Sequence, residues 1–129
     1  MPSKSILLIE HETSLRDVLG ACLSELGNWQ VTTSGSIQEG IALCELSRPD
    51  VILVDASAAE NDALILVEKL NQYSVNQSMP IVLISDRVAW FTLAEFRQTG
   101  FSGAISKPFN PSMLSSQLYR LMSLNKSAD

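Results

Sequence analysis

The stretches ILLI at 6–9, VILV at 51–54 and IVLI at 81–84 are short and continuously apolar. Rich in Ile and Val, and with no polar residue between, they suit strands buried on both faces, as in a parallel sheet. They predict strands over Ser5–Ile9, 51–54 and 80–84. Weaker strand patterns fall at 29–33 and Gly103–Ser106. Between them the apolar period becomes helical. Residues 13–26 place Leu15, Val18, Leu19, Cys22, Leu23 and Leu26 on one face, and Gly27-Asn28 follows as a stop signal. A helix over 36–46 opens on Ser36 as N-cap, with Glu39 three residues later completing a capping box. Further helices are predicted over 62–72, 88–98 and 111–124. Pro111 suits the first turn of the last one, where a missing N–H costs nothing, and Asn110 can cap it.

The resulting order, strand and helix alternating five times, predicts an α/β fold with a parallel central sheet and helices on both faces. No repeat or Pro/Gly-rich linker divides the 129 residues, so a single domain over 1–129 is expected, with its core at about 4–125. A chain 46% hydrophobic and 18% charged reads as globular. The net charge of −5, with Lys and Arg scattered, argues against direct binding of nucleic acid or anionic lipid. The apolar runs are too short for a signal peptide or a membrane span, so a cytoplasmic protein is expected. Cys22 and Cys44 each fall among apolar residues at helical spacing, Cys44 with Ile37 and Ile41. They read as buried reduced thiols rather than a disulfide or metal pair.

In open parallel sheets ligands bind beyond the carboxyl ends of the strands. Glu10, His11 and Glu12 follow the first strand, Asp55 the third, Ser85 and Asp86 the fourth, and Lys107-Pro108-Phe109 the fifth. Two carboxylates brought close favour a divalent cation with oxygen ligands, typically Mg²⁺. A lysine and a hydroxyl facing them can hold phosphoryl oxygens, and a carboxylate can accept a phosphoryl group.

Those residues carry a resemblance over nearly the whole chain. The stretches ILLIEHETSLRDVL, RPDVILVDA, PIVLIS and GFSGAISKPF resemble the receiver domain of two-component response regulators. The resemblance implies a (βα)5 doubly wound, flavodoxin-like sheet with strand order 2-1-3-4-5. It implies that Asp55 takes a phosphoryl group from a phosphohistidine on a sensor histidine kinase or phosphotransfer protein. Glu10 matches the first of two acids that help to hold Mg²⁺, and the backbone carbonyl of Ser57 matches a further metal ligand. Ser85 matches the hydroxyl that turns toward the phosphoryl group, and Lys107 the lysine that pairs with its oxygens. Lys107-Pro108 matches a peptide bond that is usually cis. Such a chain is a signalling phospho-acceptor, not an enzyme beyond its own phosphotransfer and dephosphorylation.

The chain departs from that pattern in four places. His11 stands where the second metal-binding acid is usual, and imidazole suits Zn²⁺ or Cu²⁺ better than Mg²⁺. Ala104 stands where the switch pattern has a Tyr or Phe ring. Ala59 and Ala63 replace the usual Pro and Gly after the acceptor, and Asp86 adds charge beside Ser85. Metal binding weakened or altered by His11 is therefore expected. A receiver that works unphosphorylated, as an interaction module, is the alternative. Flanked by Glu10, Glu12 and Asp55, a His11 imidazolium could itself stand in for the metal. A flavodoxin-like nucleotide carrier is disfavoured, since EHETS offers carboxylates where a phosphate cradle needs bare amides. For partners, the resemblance points to the face of the fourth helix, fifth strand and fifth helix as a downstream contact or homodimer surface. There the predicted fourth helix carries Trp90, Phe91 and Phe96; Phe91, near Phe101, reads as core and Trp90 as an exposed anchor.

Overall fold

The computed structural model describes residues 4–55, 80–85, 102–107 and 110–127. Five strands form one sheet: β1 (Ser5–Ile9), β2 (Gln30–Ser34), β3 (Val51–Asp55), β4 (Ile81–Ser85) and β5 (Gly103–Ser106). Their spatial order is β2-β1-β3-β4-β5, and every pairing is parallel. The expected order is thus the observed one. Continuous apolar runs became the inner strands because each face of the sheet is covered. Ile6 and Leu8 of β1 enter a core layer with Leu19, Leu23, Leu114 and Leu118, whereas Leu7 and Ile9 enter the opposite layer with Cys44. At the edge, β2 stays mostly exposed, which accounts for its weaker apolar pattern.

Helix α1 (Thr13–Gly27) buries a narrower face than its sequence predicts. Leu19 and Leu23 are fully buried, but Val18 is 51% and Leu26 63% exposed. Val18 lies about 100° around the helix from Leu19, beyond the seam that meets the sheet. Leu26 belongs to the last turn. Nor are both cysteines buried: Cys44 is, with its thiol pushed up to about 11 by desolvation, whereas Cys22 is half-buried. Both are free thiols.

The predicted stop is real, but its two residues divide the work. Asn28 takes the left-handed conformation, φ 59°, and its N–H donates to Leu23 O. Gly27 is needed for close approach instead, because a Cβ there would lie 2.7 Å from both Ser115 Cβ and Trp29 Cδ1. Trp29, placed in the strand by its pattern, precedes it and fills the core. Its ring N–H donates to Ser115 Oγ at 3.0 Å, and it stacks on Tyr119 with centroids 4.8 Å apart.

Helix α2 (Ile37–Ser47) starts at the expected cap, with Ser36 Oγ accepting from Glu39 N–H at 3.1 Å. The reciprocal half of the capping box is replaced, since Ser36 N–H donates to the buried Ser34 Oγ at 3.2 Å. Ser36→Ala should therefore cost about 1 kcal/mol, read as a lower urea midpoint at unchanged slope. The last helix is entered through a 3-10 turn, Pro111–Met113, where Asn110 accepts from Ser112 N–H, and then runs over Leu114–Ser127. The helices predicted over 62–72 and 88–98 lie outside the described residues.

Candidate functional site

Sheet register alone gathers the polar residues. Ile9 pairs with Val54, so Glu10, the next residue, comes beside Asp55 at the carboxyl edge. Asp55 pairs with Ile84, and Ser85 with Ser106, so β4 ends with Ser85 and β5 is followed at once by Lys107. The four positions picked from the ends of apolar runs form one row across the inner sheet.

Glu10 and Asp55 are buried, Glu10 to 2% exposure. Lys107 Nζ reaches across to Asp55, 2.9 Å from Oδ1 and 2.7 Å from Oδ2, so one ammonium spans both acceptor oxygens. On the Glu10 carboxyl, Oε1 accepts from Glu12 N–H at 3.0 Å. Oε2 is buried and meets no N–H or O–H donor among the described residues. The carboxyl abuts that of Asp55, and the two can share a hydrogen bond only if one of them holds a proton. Burial, and then the Asp55 carboxyl, push Glu10 up to about 7; the Glu12 amide and the Lys107 charge oppose the shift. A pair of carboxyls in this state takes up either a proton or a cation.

The backbone of Glu10 is fixed on both sides. Its N–H donates to Ser34 O at 3.0 Å, and its carbonyl accepts from Arg16 Nη1 at 2.9 Å. Sequence reasoning did not single out Arg16 or Ser34. Nothing in the chain distinguishes Arg16 from any other helical arginine until the fold carries its guanidinium back over the loop. His11, by contrast, points largely to solvent, with its side chain 63% exposed and Nδ1 3.4 Å from Glu10 Oε1. Ala104, in register with Leu83, packs as a partly buried methyl against the α2-side core. Ser57, Ala59, Ala63, Asp86, Trp90, Phe91, Phe96, Phe101, Pro108 and Phe109 lie outside the described residues.

The model of the response regulator receiver domain matches residues 6–119. The chain belongs to that family. Among curated relatives it is 29% identical over 127 residues to the transcriptional regulatory protein KdpE of Staphylococcus aureus, covering 98% of this chain and 53% of that protein. It is 25% identical over 118 residues to the response regulator Rre1 of Synechocystis, covering 92% of this chain and 51% of that one. This receiver thus spans about half the length of the curated relatives it matches. Among solved structures, the chemotaxis response regulator CheY4 of Vibrio cholerae superposes with a TM-score of 0.78 at 24% identity, covering 93% of this chain and 99% of that one. NtrX from Brucella abortus gives 0.80 at 21% identity, over 98% of this chain and 29% of that one. These likenesses establish the fold. Receivers are signalling phospho-acceptors that work with histidine kinases or phosphotransfer proteins and normally bind Mg²⁺ for phosphorylation. Among the described residues no helix is long and apolar enough to cross a membrane.

Proposed function

We propose that this receiver accepts a phosphoryl group on Asp55 from a phosphohistidine and signals through protein contacts. The observation that carries the reading is the Lys107 ammonium on both Asp55 oxygens beside the buried Glu10 carboxyl. In the transfer an Asp55 oxygen attacks phosphorus in line, the phosphorus–nitrogen bond breaks, and the imidazole leaves. Asp55 is held for that attack by β3, and Lys107 neutralises charge that builds on the phosphoryl oxygens. Afterwards Lys107 can follow the new charge, and Ser85, the last residue of β4, matches the hydroxyl that receivers turn toward it.

The donor set fits a divalent cation. Two abutting carboxyls, with one buried oxygen lacking a donor, are what a cation would satisfy. Glu10, Asp55 and the backbone of Ser57 would hold Mg²⁺, whose contribution when bound is to neutralise charge on the acceptor and the phosphoryl oxygens. His11 brings no carboxylate to this set, so Mg²⁺ is held more weakly than where two acids stand together.

Incubation with acetyl phosphate and Mg²⁺ should add one phosphoryl group to the intact mass, and Asp55→Asn should abolish the adduct. His11→Asp should speed its formation at low Mg²⁺. No adduct at any Mg²⁺ concentration would favour the second reading, an interaction module that works unphosphorylated, for which the exchange of an acid for His11 is the motivating feature.

A further inference from the structure

The main chain of Glu10 is held from one side by a strand and from the other by a side chain. Its N–H donates to Ser34 O at 3.0 Å, and its carbonyl accepts from Arg16 Nη1 at 2.9 Å. Among the described residues the Arg16 guanidinium forms no ion pair; it reaches back from α1 to a main-chain oxygen instead. A Cβ at Gly35, the residue after Ser34, would lie 2.8 Å from the same Nη1 and 3.7 Å from Cζ. The guanidinium therefore occupies space that any side chain at 35 would claim, and both ends of Glu10 are tied to one turn. We propose that Arg16 is a positioning residue of the acceptor site: seated at Gly35, it holds the Glu10 carbonyl and through it keeps the Glu10 carboxyl against Asp55. The inference rests on the reading above that Asp55 is the phosphoryl acceptor.

The turn that provides the seat is itself tied down. Ser34 is buried, and its Oγ donates to Ser36 O at 2.7 Å while accepting from Ser36 N–H at 3.2 Å. Arg16 is anchored at its other end, since its N–H donates to Glu12 O at 2.9 Å. Glu12 N–H in turn donates to Glu10 Oε1 at 3.0 Å. Residues 10–16 thus close a circuit, in which rotating the Glu10 carbonyl away from Arg16 also moves the Glu12 amide off the carboxyl. The carboxyl needs such a restraint. Burial and the Asp55 carboxyl both oppose its charge, and the Lys107 ammonium sits on Asp55. A guanidinium is suited to the task, because it stays charged and its hydrogen bond to a carbonyl is strengthened by that charge. Of the hydrogen bonds that fix Glu10 among the described residues, only the one from Arg16 comes from a side chain, so substitution can remove it alone.

Amide hydrogen exchange in the metal-free chain, together with adduct formation from acetyl phosphate and Mg²⁺, tests the assignment. Arg16→Ala should speed exchange of the Glu12 amide by about tenfold while the amides of β3 and β4 keep their protection. It should also slow the Asp55 adduct by about tenfold or more, as a displaced site residue does. Gly35→Ala leaves the arginine in the chain but denies it the seat, and should move both readouts in the same direction by less. Arg16→Lys keeps a cationic donor and should recover most of each loss. Exchange speeded throughout β3 and β4 would mean lost stability rather than lost position, and would overturn the proposal. So would an Arg16→Ala protein whose Glu12 exchange and adduct rate match the parent. A slow adduct in Arg16→Ala with Gly35→Ala like the parent would also overturn it, by making the charge of Arg16 the cause and not its seat. A parent protein that forms no adduct sinks the acceptor reading, whereas the Glu12 amide reports the hold on Glu10 independently of it.

Discussion

Replacing Glu10 with Gln should stabilise the cation-free protein by roughly 3 kcal/mol above pH 7 and change it little near pH 4. Burial holds Glu10 at about 7 in the folded chain against its ordinary value of 4.5. Below 4.5 both states hold the proton and nothing is lost. As pH rises from 4.5 to about 7, the unfolded chain ionises first, binds fewer protons than the native state, and stability falls. Above about 7 the full penalty of a buried carboxylate beside Asp55 is present. At about 1.4 kcal/mol per pH unit, the shift of about 2.5 (7 less 4.5) gives the stated size. A Gln amide resembles the protonated acid in shape and can donate to Asp55 at every pH. Urea unfolding of parent and variant in chelator, at pH 4 and pH 8.5, reads the difference; an equal effect at both pH values would rule out Glu10 as its source. A divalent cation should stabilise the parent at pH 8.5 and the Gln variant far less, because binding to the native state adds stability only where a site exists.

The second large effect is expected at Lys107. Lys107→Ala should cost about 2–3 kcal/mol at neutral pH, at or below the roughly 3–5 kcal/mol of a fully buried pair because Lys107 keeps 22% of its side chain exposed. The loss comes from what remains: two abutting buried carboxyls without their ammonium. Adding Asp55→Asn should recover most of it, since an amide at 55 needs no counter-charge. A double-mutant cycle by chemical denaturation measures this coupling. Additive losses would show that Lys107 stabilises the chain by packing its stem rather than by its charge. The Lys107→Ala penalty should also shrink toward acid pH, where Glu10 is protonated and can donate to Asp55.

Legibility differed between backbone and side chains. The inner strands were readable because a strand covered on both faces needs an unbroken apolar run, and ILLI, VILV and IVLI each supply one. Helix starts were readable where a local hydrogen bond sets them, as at Ser36 and Asn110. Misassignment came where burial depends on a neighbour far along the chain. Val18 and Leu26 fit the helical period but not the seam, and Trp29 left β2 to meet Ser115 and Tyr119, some ninety residues away.

For the site, the sequence by itself determined which residue types stand at the strand ends, and hence an acid row closed by a lysine. Parallel pairing with a period of one residue per rung turns position after a strand into adjacency in space, so Glu10, Asp55 and Lys107 were predictable as a set. Only the tertiary structure decided their electrostatic state. Depth beneath the surface set the rise at Glu10, the reach of a lysine stem delivered the ammonium to Asp55 while His11 stayed outside, and Arg16 came back over the loop to hold the Glu10 carbonyl. Desolvation and charge pairing depend on distances between side chains from different strands, and no linear spacing contains those.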